Sequence, residues 1–190
     1  MTEKTIVGPL SAFALLQPMH TVLVSSIGKK GKPNITTLAW CIPTSIDPPL
    51  VAISISPKRH AHSLIMESKE FVINIPTIEL LKEAFFCGRV SGVTHDKFKE
   101  SGLTPVPAHC VKPPTIKECI AHVECKLVSQ FETGDHTIFI GKIVEAYVSK
   151  SMFEKRYNLN VAKMLLHLGG NAFATVDSKI YRARLPTKSK

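Results

Sequence analysis

No run of about 18 or more apolar residues occurs in the 190-residue chain, so no segment is long enough to span a bilayer as a helix. The first ten residues include Glu3 and Lys4 but no apolar stretch followed by a small-residue cleavage site, which speaks against a secretory leader. Neither a G-x-G-x-x-G nor a P-loop pattern follows any strand signal, so no classical nucleotide-binding α/β unit is indicated. Cysteine is sparse. The five thiols (Cys41, Cys87, Cys110, Cys119 and Cys125) are odd in number and contain no C-x-x-C pair, which excludes a zinc ribbon or a disulfide framework as the organising principle. Reduced thiols in a cytoplasmic protein are the expectation. Repeats, low-complexity blocks and linkers are absent, and no metal-ligand cluster stands out; His60 and His62 at i and i+2 do not share a helix face.

The chain is 44% apolar and 21% charged, enough apolar material for a real core. One domain over residues 1–185 is expected, with a short basic tail at 186–190. The net charge of +9, from 24 Lys and Arg against 15 Asp and Glu, favours anionic partners. It is dispersed: Lys29, Lys30 and Lys32 share one turn, Lys188 and Lys190 lie in the tail, and no tight basic run interleaves with aromatics. A nucleic-acid footprint is therefore not favoured, whereas a small phosphate-bearing cofactor suits the charge.

Strand signals dominate the first half. Residues 20–27, 34–41, 50–56 and 70–75 read as strands, and 43–49 (Pro-Thr-Ser-Ile-Asp-Pro-Pro) as a rigid loop. Residues 58–68 and 77–86 read as short helices, the second capped by Thr77. Two long strands, 117–131 and 136–148, meet at Glu-Thr-Gly-Asp, a hairpin signal. A last helix is expected over 161–168, ended by Gly169-Gly170, with a strand over 172–184. Antiparallel hairpins rather than repeated βαβ units point to a mainly β fold, a small barrel with peripheral helices.

The third strand separates its faces cleanly, with Val51, Ile53 and Ile55 on one and Ala52, Ser54 and Ser56 on the other. The branched face belongs in a core. The small face lets a flat ligand approach, or is simply an outer sheet face. Pro57-Lys58-Arg59-His60 follows at a helix start, where open amides and cations make an anion site. A Gly- and Ser-containing loop, Cys87-Gly88-Arg89-Val90-Ser91-Gly92, and Asp96-Lys97-Phe98 supply further candidate donors.

The order of these pieces resembles the flavin reductase-like FMN-binding split-barrel family, which includes flavoredoxin-like proteins. The matching segments are Gly-Lys-Pro-Asn-Ile-Thr-Thr-Leu-Ala-Trp (31–40), Asp-Pro-Pro-Leu-Val (47–51), Ser-Ile-Ser-Pro-Lys-Arg-His (54–60) and Glu-Phe-Val-Ile-Asn-Ile-Pro (70–76). Cys-Gly-Arg-Val-Ser-Gly with Asp-Lys-Phe (87–98), Gly-Asp-His-Thr-Ile-Phe-Ile-Gly (134–141) and His-Leu-Gly-Gly (167–170) complete the set. The resemblance spans nearly the whole chain.

It implies a split β-barrel, FMN as cofactor, and hydride or electron transfer between NAD(P)H or a redox partner protein and the flavin. The site would lie at a homodimer interface. Asn34, Thr36, Thr37, Leu38, Ala39 and Trp40 would run along the ring, and Ser54, Ile55, Ser56, Arg59 and His60 would lead to the phosphate, with Arg59 its main partner. Cys87, Gly88, Ser91, Gly92 and Lys97 would complete the shell, and His136 would stand near the flavin or the nicotinamide entry face. Two alternatives stay open: a flavoredoxin-type electron carrier without NAD(P)H turnover, and a non-catalytic ligand-binding barrel. Some residues also keep two readings. His136 is either a site residue or a hairpin-end histidine bonded to Asp135, Trp40 stacks near the ring or fills a dimer core, and Cys87 reads best as a buried inert thiol. The family commonly has an aromatic and then Thr or Ser after the arginine, where this chain has His60 and Ala61. A phosphate hydroxyl contact is thus missing, for which His60 or Ser63 would substitute.

Overall fold

The computed structural model describes residues 2–183. A 3-10 segment, Pro9–Leu16, leads into β1 (Met19–His20), β2 (Val22–Ile27), β3 (Pro33–Leu38), β4 (Cys41–Ser45) and β5 (Leu50–Ile55). Then come α1 (His60–Ser68), β6 (Glu70–Ile75), a 3-10 turn at Ile78–Leu80, α2 (Leu81–Arg89) and α3 (Lys97–Ser101). Short strands β7 (Pro105–Val106) and β8 (Thr115–Ile116) precede the long pair β9 (Ala121–Thr133) and β10 (His136–Val148). The hairpin β11 (Leu165–Gly169) and β12 (Ala172–Thr175) follows.

Seven strands form one antiparallel sheet in the order β3-β2-β6-β9-β10-β5-β4. Its two end strands are consecutive in the chain, which crosses from one to the other at Ala39–Trp40. The Ser54 N–H donates to the Trp40 carbonyl at 3.0 Å and ties that crossing to β5. Val22 and Val24 of β2, Val51, Ile53 and Ile55 of β5, Phe71 and Ile73 of β6, and Phe139 of β10 meet in one buried cluster. Side chains from strands across the whole sheet reach one core only if the sheet curls round it, which gives a split β-barrel. The expected branched face of β5 is the one that fills it.

β2 is buried on both faces. Its Leu23 joins a second core outside the barrel wall, with Ile35 of β3, Ala84 and Cys87 of α2, Phe98 of α3, Ile116 and Leu165. This second core seats α2 and α3 against β3, and thereby builds one wall of the site.

Several sequence expectations need correction. The rigid loop at 43–49 contains β4, which includes Pro43; β4 is an end strand, where a missing N–H interrupts no ladder. The helix over 161–168 does not form: Leu165–Gly169 is a strand paired with both β1 and β12. Leu165 fills the second core while Leu168 is exposed, and Gly169 and Gly170, at φ +106° and +60°, make a hairpin turn rather than a helix cap. β12 stops at Thr175, and the end of the expected strand and the tail at 186–190 lie outside the described residues. Thr77 holds the N-cap position, but its hydroxyl bonds the Glu79 carboxylate instead of a helix amide. α3, capped by Asp96 through the Lys99 N–H at 3.2 Å, was not expected.

One buried carboxylate pins the 107–114 segment to the barrel. Glu124 of β9 is 0% exposed and accepts from the His109 N–H at 2.8 Å, the Cys110 N–H at 2.6 Å and the Tyr147 hydroxyl at 3.1 Å. Those donors outweigh burial and hold its pKa below the ordinary carboxylate value. Its contribution is present above the unfolded-state pKa and is lost as pH falls through the folded one. Glu124→Ala should therefore destabilise the protein by about 2–3 kcal/mol at neutral pH. In urea unfolding the gap to wild type should shrink on acidification below about pH 4.5; a gap independent of pH would refute the assignment.

Candidate functional site

β5 ends at Ile55, and the chain turns into α1 through an Arg59 N–H to Ser56 carbonyl bond of 2.9 Å. Arg59 occupies the N-cap in extended backbone, and no side chain caps the helix. Amides of the first turn are thus open to a ligand. Facing them, β3 presents Asn34 and Thr36 on one face, as the two-residue period requires. The segment after α2 closes the third side with Ser91 and Gly92. Between them lies a cleft of about 80 Å³, lined also by Lys58, His60, Ala61, Arg89, Val90 and Lys97.

The electrostatics of this cleft are one-sided. Lys97 is 5% exposed, yet its ammonium donates only to the Cys87 carbonyl at 2.7 Å. Among the described residues it makes no ion pair. Burial, with the like charge of Arg59 adding to it, lowers its pKa to about 8. Asn34 is 3% exposed, and neither its carboxamide oxygen nor its nitrogen has a hydrogen-bond partner. Each such orphan costs on the order of 1–3 kcal/mol unless a ligand satisfies it. A Cβ at residue 92 would fall 2.0 Å from Asn34 Oδ1, so only glycine lets the carboxamide stay where it is. Burial, then the neighbouring Lys97 and Lys32, depress the pKa of His60, which keeps that imidazole neutral.

Arg59 and Arg89 also border a wider groove of about 300 Å³ that adjoins the cleft through these two residues. Thr37, Leu38 and Ala39 line it from β3 and its exit, Ala84, Phe85 and Gly88 from α2, and His167, Gly170 and Phe173 from the β11–β12 hairpin, with Thr21 beside them. Because β3 ends the sheet, the backbone groups of its outer edge lack ladder partners and are free to meet a flat ligand. Arg59 Nη1 donates to the Gly88 carbonyl at 3.1 Å. Arg89 Nη2 donates to the Gly170 carbonyl at 2.9 Å while its guanidinium lies 4.9 Å over the Phe85 ring. These bonds stiffen both cations at the junction of cleft and groove.

The structure thus brings together Asn34, Thr36, Thr37, Leu38, Ala39, Arg59, His60, Gly88, Ser91, Gly92 and Lys97. It places the others elsewhere. Trp40 and Ser54 line an apolar hollow of about 560 Å³ over the small face of β5, which meets the groove only at Ala39. Ile55 points into the barrel core, and Ser56 makes the turn into α1. Cys87 is fully buried, burial pushes its thiol pKa up to about 11, and only its carbonyl serves the site, by holding Lys97. Ser63 bonds the His60 carbonyl at 2.9 Å and does not line the cleft, whereas His60 does. His136 pairs with Asp135 at 2.7 Å and lies against Trp40 with ring centroids 4.8 Å apart and the planes tilted by 46°, at the hairpin end rather than in the groove. Thr21, Phe85, Arg89, His167 and Phe173 were missed. Arg89 lay in the 87–92 segment already singled out, which read as a loop although its first three residues end α2; His167 was hidden by the mistaken helix, and Phe173 lay in an expected strand without a signal of its own.

The model of the flavin reductase like domain matches residues 16–174. The chain belongs to the flavin reductase-like family. Within that family, a protein of Archaeoglobus fulgidus is 39% identical over 86% of this chain and 92% of its own length. The solved structure of flavoredoxin from Desulfovibrio vulgaris (Miyazaki F) superposes with a TM-score of 0.84 at 28% identity, covering 96% of this chain and 97% of that one. The flavin reductase (NADH) of Kitasatospora aureofaciens is 28% identical over 66% of this chain and 64% of its own. The mostly β, split-barrel fold expected from the motifs is the fold of this family.

The charge state of Lys97 should make anion binding in this cleft pH-dependent. An anion favours the ammonium form, so a phosphate-bearing ligand should bind best below about pH 8 and lose up to about tenfold in affinity per pH unit above it. Dissociation constants measured from about pH 7 to about pH 10 check this. A flat wild-type profile, or an unchanged slope in Lys97→Met, would remove the lysine from the site.

Proposed function

We propose that this chain binds FMN and works as a flavin reductase-like oxidoreductase, taking reducing equivalents from NAD(P)H. One observation carries the reading: a buried, unpaired ammonium and an unpartnered carboxamide face a cleft of phosphate size, and a groove of ring size adjoins that cleft at Arg59 and Arg89. The donor set fits the group. Arg59, Lys97, Ser91 and the open amides of α1 suit a phosphate dianion, whose charge-assisted bonds are the strong ones. Asn34 suits the same end, since both of its polar atoms await partners. A single small cleft at that end favours FMN over a dinucleotide flavin.

Bound FMN supplies the hydride and electron chemistry. The protein's own work is to hold and tune. Arg59 and Lys97 anchor the anionic end, while Thr37, Leu38 and Ala39 line the ring end, where alternate residues of β3 turn their backbone groups to the free edge. Those fixed dipoles stabilise charge that develops on reduction without having to reorganise. Phe85 and Phe173 exclude water from the groove. Asp135 engages Nδ1 of His136, whose ring lies beside Trp40. Trp40 lines the hollow that meets the groove at Ala39, the side from which a nicotinamide would approach and be oriented by His136.

An unpartnered apolar stripe supports a homodimer. Ile42, Ala52 and Ile140 are cross-strand neighbours on one outer face, as are Ser54, Ile138 and Phe131, and Ile42 and Phe131 are 61% and 57% exposed. Sedimentation should show a dimer that Ile42→Glu shifts toward monomer; a monomeric wild type would end that part of the reading.

Purified protein should be yellow and release FMN, identified by chromatography, on denaturation; colourless protein that also refuses added FMN would sink the proposal. Arg59→Ala should weaken FMN by about 1.5–3 kcal/mol. Anaerobic NADH or NADPH should bleach the flavin, and His136→Ala should raise KM for the nicotinamide without loosening FMN. Persistent colour with both nucleotides would point instead to an electron carrier fed by a protein donor.

A further inference from the structure

We propose that Thr21 anchors the ring end of the groove: its hydroxyl hydrogen-bonds a polar edge of the flavin ring and decides which edge enters. The inference rests on the flavin reading above. Thr21 is 1% exposed, lines the groove, and its Oγ1 has no hydrogen-bond partner. It is not free to swing away and find one. Its N–H donates to the Leu165 carbonyl at 2.9 Å, and β1 just before it is paired to β11 through Met19–His167 and His20–Leu166. The residue is thus fixed between β1 and β2, against the hairpin that carries His167 and Phe173.

Of the other polar side chains of the groove, Thr37, Arg59 and Arg89 already have partners, and the partly exposed His167 ring lies against Phe173. The Thr37 hydroxyl donates to the Ala84 carbonyl at 2.5 Å, Arg59 to Gly88, and Arg89 to Gly170. Thr21 alone in the groove wall is a buried hydroxyl without a partner. A buried hydroxyl in a native structure is expected to find a partner, and one that lines a groove can take it from what the groove holds. A hydroxyl donates and accepts, which matches the carbonyls and imide N–H of the pyrimidine edge of a flavin; the dimethylbenzene edge offers neither. A donor at that edge also favours the ring's reduced, more negative form, so Thr21 raises the reduction potential relative to an apolar residue.

Thr21→Val keeps the shape and removes the hydroxyl, and Thr21→Ser keeps the hydroxyl. The test compares both with wild type in three readouts: melting temperature of flavin-stripped protein, dissociation constants for FMN and for riboflavin, and midpoint potential of the bound flavin. Thr21→Val should melt at or above wild type when stripped, since an unsatisfied buried group has gone. It should bind FMN and riboflavin more weakly by the same factor, about three- to tenfold, because the lost bond is at the ring and not the phosphate. Its midpoint potential should fall, and Thr21→Ser should recover both affinity and potential. Unchanged affinity for both flavins overturns the proposal. So does a loss confined to FMN, which would put the hydroxyl at the phosphate end, or a loss matched by a lower melting temperature of stripped protein, which would make the role structural. Wild type that binds neither flavin would overturn the functional reading itself, a different result from a wild type that binds and a variant that binds equally well.

Discussion

A buried ammonium without a carboxylate partner is the constraint on which this site turns. Taking Lys97 out of water costs several kcal/mol, and one backbone carbonyl offsets only part of that. The fold tolerates it because α3 and the end of α2 are held on the second core by Phe98, Ala84 and Cys87. The same packing brings Cys87's carbonyl to the ammonium and Gly88 to Arg59. A charge stored in this way is stability withheld from the free protein, and the proposed anion would return it.

The split in the barrel supplies the other half of the site. A fully closed sheet would pair both edges of every strand. Here β3 and β4 end the sheet, and the chain crosses between them at Ala39–Trp40. The open edge of β3 keeps backbone donors and acceptors available, and the α2 and β11–β12 wall shields them from water. Rigid elements thus frame the groove on three sides, which suits a cofactor that must be held in one orientation. Glu124 performs a similar service at a distance, binding a long loop to β9 with two backbone amides and so keeping the barrel's outer layer in place.

Much of this was legible in the residues. The two-residue period of Val51–Ser56 identified the core face of β5, and Pro57 to His60 marked a helix start with cations beside it. The segment from Gly88 to Gly92, which runs off the end of α2, and Lys97 were recognisable as possible donors. Legibility failed where tertiary contact overrode local pattern. Residues 165–169 carry apolar spacing compatible with a helix, yet pairing with β1 and β12 makes them a strand. Pro43 read as a loop signal, but an end strand has no use for its N–H. Thr21 gave no signal at all, since nothing local shows that a threonine's hydroxyl will be buried and left alone.

What the sequence by itself determined is the set of chemical parts: a β-rich chain, a small-residue strand leading to a basic helix start, and a family whose motifs run in order along nearly the whole length. Periodicity and residue type are local properties, and they survive being read one segment at a time. Only the tertiary structure decided which parts meet. It separated Trp40, Ser54 and His136 from the groove and added Thr21, Phe85, Arg89, His167 and Phe173 to it. Burial depends on every element packed around a group, so the absence of a counter-charge at Lys97, and of any partner at Asn34 and Thr21, exists only in the assembled fold.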